Sequence, residues 1–93
     1  MGKRARPKPQ RLAEKLLQVR QAFSLSQGEM FWRLDIEAYS EVKRISDYEI
    51  GKSEPPLIVL LHYARVAGVH VEDLINDKVD LPEKLPGKVR HQL

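Results

Sequence analysis

With 93 residues, 42% of them hydrophobic and 31% charged, the chain has the length and composition of one globular domain with a modest core, and a second domain is not expected. The absence of cysteine excludes disulfides and thiolate metal sites, while His62, His70 and His91 lack ligand-like spacing, so neither a metal nor a cofactor is expected. The net charge is +3, no apolar run approaches the ~18 residues of a membrane span, and MGKRARPKPQ lacks the hydrophobic segment of a secretory signal; a cytoplasmic protein is the expectation.

The charge is unevenly placed. Lys3, Arg4, Arg6, Lys8 and Arg11 put five positive charges and no negative one into the first eleven residues, leaving 11 basic against 13 acidic residues from Leu12 onward. The basicity therefore lives in a flexible arm over residues 1–11, which Pro7 and Pro9 and a near-absence of apolar residues should leave extended or disordered in the free protein. Clustered Lys and Arg suit contact with nucleic acid backbone or minor groove, and Lys3, Arg4, Arg6 and Lys8 are the candidates; a solvated tail is the alternative.

A first helix is expected from Gln10 or Leu12 to Ala22 or Phe23. Leu12, Leu16, Val19 and Phe23 recur at helical spacing toward a core, with Leu17 on the flank and Glu14, Lys15, Gln18 and Gln21 on the other side. Ser24 stands where a helix end prefers glycine. Ser26 opens a second helix as a Ser-x-x-Glu capping box with Glu29; Met30, Phe31 and Leu34 face inward, Trp32 and Arg33 point elsewhere, and Asp35 and Ile36 mark the exit. The stretch from Glu37 to Glu41 reads either as an extended connection or as a prolongation of a flanking helix, with Ser40 placed to cap the next one.

A short third helix spans Glu41 to Ile50. Ile45 and Tyr48, three apart, anchor one side, while Lys43, Arg44, Ser46 and Asp47 are left on the other. Gly51 supplies the left-handed stop, and Pro55 and Pro56 prevent the helix from resuming. A fourth helix runs from Pro56 to Ala67 and stops at Gly68, its buried face drawn from Leu57, Leu60, Leu61, Ala64 and Ala67. Ile58, Val59, Tyr63 and Val66 make it apolar nearly all round, which calls for a second covered face, either against a partner chain or under the tail. A fifth helix, Val71 to about Asn76, packs Val69, Val71, Leu74 and Ile75. From residue 78 onward the breakers in DLPEKLPGKVRHQL predict an extended strap or a frayed end.

Five helices over residues 12–77, with a polar-faced third one, form an all-α, compact five-helix bundle containing a helix-turn-helix. From Leu12 to Ile75 the chain resembles the phage repressor and Cro-like helix-turn-helix domains, the xenobiotic response element family. The matching motifs are Leu25-Ser26-Gln27 with Glu29, then Ile45-Ser46 followed by Tyr48-Glu49-x-Gly51-Lys52-x-x-Pro55, then Leu60-Leu61 with Ala64 and Gly68-Val69. Against the usual pattern, the 18-residue interval from Gln27 to Ile45 is longer by about four, which implies a lambda-repressor-like bundle with a lengthened connection between helices 2 and 3.

The resemblance implies roles for particular residues. The third helix would enter the major groove, with Lys43 or Arg44 reading guanine N7 and O6, Val42 touching a thymine methyl and Asp47 accepting from cytosine N4. Ser26, Gln27, Ser46 and Lys52 would meet phosphates, and Glu49 would hold a backbone amide or a basic partner. The implied function is a DNA-binding transcriptional regulator, a repressor above all, nucleoid-associated in the cytoplasm and bound as a homodimer to double-stranded DNA, with Ile58, Val59, Tyr63 and Val66 as the dimer face. The alternative is a protein-interaction module, or an antitoxin-like partner-binding protein, on the same scaffold. No nucleophile motif, phosphate loop or carboxylate pair suggests an enzyme.

Overall fold

A computed structural model describes residues 7–87. These residues contain α1 (Leu12–Ala22), α2 (Gln27–Leu34), α3 (Val42–Ile50), α4 (Leu57–Ala67) and α5 (Val71–Ile75), and no strand. The architecture is a small all-α bundle. Among the described residues no helix is long and apolar enough to cross a membrane.

Leu12, Leu16 and Val19 of α1 are buried, and Phe23 packs partly buried behind them. The helix turns at Ser24, whose φ of 55° places a non-glycine residue in the left-handed region, at a cost of roughly 1–2 kcal/mol. The N-terminus of α1 has no side-chain cap of its own. Asp77, far away in sequence, supplies one: its carboxylate accepts from the amides of Gln10 (3.1 and 2.9 Å) and Arg11 (3.0 Å). Gln10 and Arg11 are thus fixed to the body rather than free in an arm.

Lys15 is placed differently from the sequence expectation. Instead of facing outward it is fully buried, and its ammonium donates to the carbonyls of Asp73 (2.9 Å), Asn76 (2.8 Å) and Val79 (2.7 Å). The reason lies in the partner: the end of α5 and the turn after it carry carbonyls that the short helix cannot satisfy, and a long cationic side chain reaches all three. Desolvation first, then the nearby Arg11 charge, lowers the Lys15 pKa, against the pull of Asp77, Asp80 and Asp73.

α2 begins as its sequence specifies, with the Glu29 amide donating to Ser26 Oγ at 3.0 Å and the Ser26 amide to Glu29 Oε1 at 2.7 Å. Met30, Phe31 and Leu34 are buried, Trp32 is exposed, and Asp35 ends the helix in the left-handed region. The following connection neither extends nor prolongs a helix. Ile36 is buried, and its carbonyl accepts from the amides of both Tyr39 (2.8 Å) and Ser40 (2.9 Å), folding the segment into a tight turn. That turn brings Ser40 Oγ to 2.9 Å from Tyr48 Oη, so Ser40 bonds across the domain instead of capping α3. Glu41 takes the cap position without a side-chain bond, and the helix begins one residue later, at Val42.

α4 is turned about its axis relative to the expected stripe. Val59, Leu60, Tyr63, Ala64 and Ala67 are buried, Leu61 is half-buried and Leu57 is 80% exposed. Because α1, α2 and α5 all pack on α4, its buried sector is wider than a single stripe. The predicted dimer face is therefore corrected: Val59 and Tyr63 belong to the chain's own core, Val66 packs partly buried against it, and Ile58 alone of the four is exposed.

Residues 78–87 form the strap. Leu81 is buried, Leu85 packs against the core, and the Gly87 amide donates to the Ala67 carbonyl at 3.0 Å. Gly87 sits so close to Gly68 that a Cβ on the latter would overlap the Gly87 carbonyl. Gly68 has a second reason to be glycine, its φ of 76° as the stop of α4.

Candidate nucleic-acid interface

The exposed side of α3 is held by groups on its hidden side. Ile45 and Tyr48 are buried between α1 and α2, and the buried Glu49 carboxylate receives the Arg20 guanidinium of α1 in a two-pronged pair, Nε–Oε2 2.6 Å and Nη2–Oε1 2.9 Å. Arg20 Nη1 also donates to the Leu25 carbonyl at 3.0 Å, and Gln27 Nε2 donates to Glu49 Oε1 at 3.2 Å. The Arg20–Glu49 pair thus ties α1, the loop before α2, α2 and α3 together. The Glu49 hydrogen bond raises the Arg20 pKa, so the cation persists at any ordinary pH. A structural role for Glu49 with a basic partner was legible in sequence; the identity of that partner, 29 residues away, was not.

This network revises Gln27. Its side-chain amide faces inward to Glu49, so the side chain is not a free phosphate clamp. What the start of α2 offers outward is backbone: helices leave their first amides without internal acceptors, and Gly28 has open space where its Cβ would be. Ser26 is exposed, but its hydroxyl already accepts from Glu29.

On α3, Val42, Lys43 and Arg44 are exposed, Ser46 and Asp47 are half-buried, and Ile50 closes the row in the open. The two cations are loosely held. Lys43 Nζ lies 3.5 Å from Glu41 Oε1 and Arg44 Nη1 lies 3.4 Å from Asp47 Oδ2, long and exposed pairs of the kind that contribute little and separate readily. Asp47 thus acts as a tether to Arg44 when nothing else is bound. Lys52 is exposed just beyond the Gly51 stop, and its amide donates to the Asp47 carbonyl at 2.9 Å.

Lys8 stands near this region. With Pro9, Gln10 and the start of α1 it forms one wall of a cleft of about 220 Å³, and Gly51, Lys52, Ser53 and Pro55 form the other. Lys3, Arg4 and Arg6 lie outside the described residues. Two contributors had no signal in sequence: Asp77, whose pinning of the arm root spans 67 residues, and Ser53, whose hydroxyl is buried without a hydrogen-bond partner.

The interface, taken as a whole, is a short helix with an exposed face of mixed charge, a helix start with open backbone beside it, and a basic root along one edge. No family model, curated protein or solved structure matches the chain.

Proposed function

We propose that this chain is a sequence-specific DNA-binding regulator, a repressor of the Cro-like helix-turn-helix kind that binds an inverted repeat as a homodimer in the cytoplasm, at the nucleoid. One observation carries the reading: the Arg20–Glu49–Gln27 network fixes α3 rigidly from behind while its Val42, Lys43 and Arg44 side chains project free of the core. A helix held in this way costs little ordering on binding, which suits insertion in a major groove. Arg44 exchanges its loose contact with Asp47 for a guanine edge, and Lys43 likewise leaves Glu41. Val42 meets a thymine methyl, and the backbone at the start of α2, with Lys52 and Ser46, takes phosphates.

Selection of bound duplexes from a random pool tests this. A recovered palindrome supports the function and yields the half-site spacing; no enrichment overturns it. On the recovered site Arg44→Ala relaxes preference at one base pair by about 1–3 kcal/mol. Equal losses on specific and random duplex would remove Arg44 as a base reader. Sedimentation at micromolar concentration decides the dimer, which a clean monomer on and off DNA rules out.

A second reading, a partner-binding module such as an antitoxin, draws on a different observation. A groove of about 500 Å³ between α2 and α4 has Phe23, Leu34 and Val66 in its lining beside Arg33, Arg65 and one acid, Asp35, a surface with a basic excess suited to an acidic, apolar segment of another protein. Enrichment of no duplex together with stable binding of such a partner would favour it.

A further inference from the structure

We propose that the cleft between the arm root and the loop after α3 is a seat for one phosphate group, held jointly by Lys8, Lys52 and the Ser53 hydroxyl, and that in the cell the group is a backbone phosphate of duplex DNA. The choice of source rests on the DNA-binding reading above; the seat itself does not.

Three observations converge. Lys8 and Lys52 come from segments more than forty residues apart, yet they line the two walls of one cavity. Its volume of about 220 Å³ is several times the ~30 Å³ share of a water molecule, room for a phosphate and accompanying water. Ser53 lines the same cavity, and its hydroxyl, closed to solvent as it stands, has no hydrogen-bond partner among the described residues; turned toward the cleft it would gain one from a bound anion. Glu54, the acid in this lining, is itself engaged in an interaction.

The backbone of the seat is fixed in advance of binding. The Asp77 carboxylate holds the amides of Gln10 and Arg11, and Gln10 Nε2 donates to the Lys8 carbonyl at 3.1 Å, so the backbone carrying Lys8 is fixed to the body. On the other wall, the amides of Lys52 and Ser53 both donate to the Asp47 carbonyl, at 2.9 and 3.3 Å, which fixes the loop to the end of α3. A phosphate placed here would be met by two lysine side chains carried on fixed backbone, and by the Ser53 hydroxyl once it turns toward the cleft. It also sets the register of the arm, because the same anion is shared by the arm and by the segment that follows the reading helix.

The experiment uses the full chain and inorganic phosphate first. At constant ionic strength, phosphate and not chloride produces saturable shifts of the Gly51, Lys52 and Ser53 amide resonances. Lys8→Ala or Lys52→Ala abolishes saturation, and Ser53→Ala weakens it about tenfold while leaving the melting temperature unchanged or higher, since an orphaned hydroxyl is lost. On duplex DNA, each lysine variant lowers the salt slope by about one, and the double variant also by about one because both serve a single phosphate. A double loss of about two, or phosphate shifts no different from those in chloride, overturns the seat. Saturable phosphate binding without duplex binding keeps the seat, assigns it to a small phosphorylated ligand, and sinks the DNA reading instead.

Discussion

Replacing Lys15 by methionine keeps the length and apolar stem of the side chain but removes the donor shared by the carbonyls of Asp73, Asn76 and Val79. The Asn76 carbonyl keeps the Val79 amide at 3.2 Å and the Val79 carbonyl lies 3.5 Å from Arg11 Nη1, so the Asp73 carbonyl loses most, and Lys15→Met is expected to destabilise by about 1–3 kcal/mol in urea unfolding. A loss under about 1 kcal/mol would mean that water replaces the ammonium. Gly28 poses the opposite problem: nothing inside the chain crowds its position, and a helical glycine is worth about 1 kcal/mol less than alanine. Gly28→Ala is therefore expected to raise the melting temperature and, with a methyl added where backbone would approach phosphate, to weaken duplex binding. Greater stability with unchanged affinity would show that no close approach occurs there.

At the level of elements, what could be read from sequence was what is decided within a few residues. The Ser26–Glu29 box, the glycine stops at Gly51 and Gly68, and the Ile45–Tyr48 anchors all depend on neighbours in the chain, and each is where its spacing puts it. The misplacements are non-local. Lys15 sits on what looked like the polar side of α1 because its acceptors come from residues 73–79, and α4 is rotated because three helices rather than one choose its buried sector. Of the interface, the exposed residues of α3 were legible, whereas the inward turn of Gln27 required knowing where Glu49 lies.

The N-terminus of α1 is likewise governed from a distance. Hydrogen bonds from the Gln10 and Arg11 amides lower the Asp77 pKa below its ordinary 3.8. A carboxylate depressed in this way contributes stability in full above the ordinary value and loses it as the pH falls through the lowered one. Glu29 is depressed for the same reason by Ser26 and acts in the same window. Asp77→Asn should therefore lower stability at neutral pH and flatten the acid limb of a stability–pH curve below about pH 4. An unchanged acid limb would assign it to other carboxylates.

Over the whole molecule, charge is divided between a basic arm and a body whose balance is acidic. Glu37, Glu41 and Asp47 around α3 oppose phosphate, so long-range attraction falls to the arm. Removing residues 1–9 is expected to weaken binding to every duplex alike and to flatten the salt dependence, with sequence preference retained. A truncation that alters preference without altering the salt slope would make the arm a reader of bases instead.

The junction of Gly68 with Gly87 governs how the molecule can be handled. The described chain leaves the body beside Phe23 and Ala67, while at the other end it enters along the cleft that Lys52 lines. A purification tag or fluorescent label joined directly to residue 7 would crowd that cleft. Joined after the strap, it would hang beyond the Gly87–Ala67 hydrogen bond, away from that cleft, while a single methyl added at position 68 would unseat the strap itself.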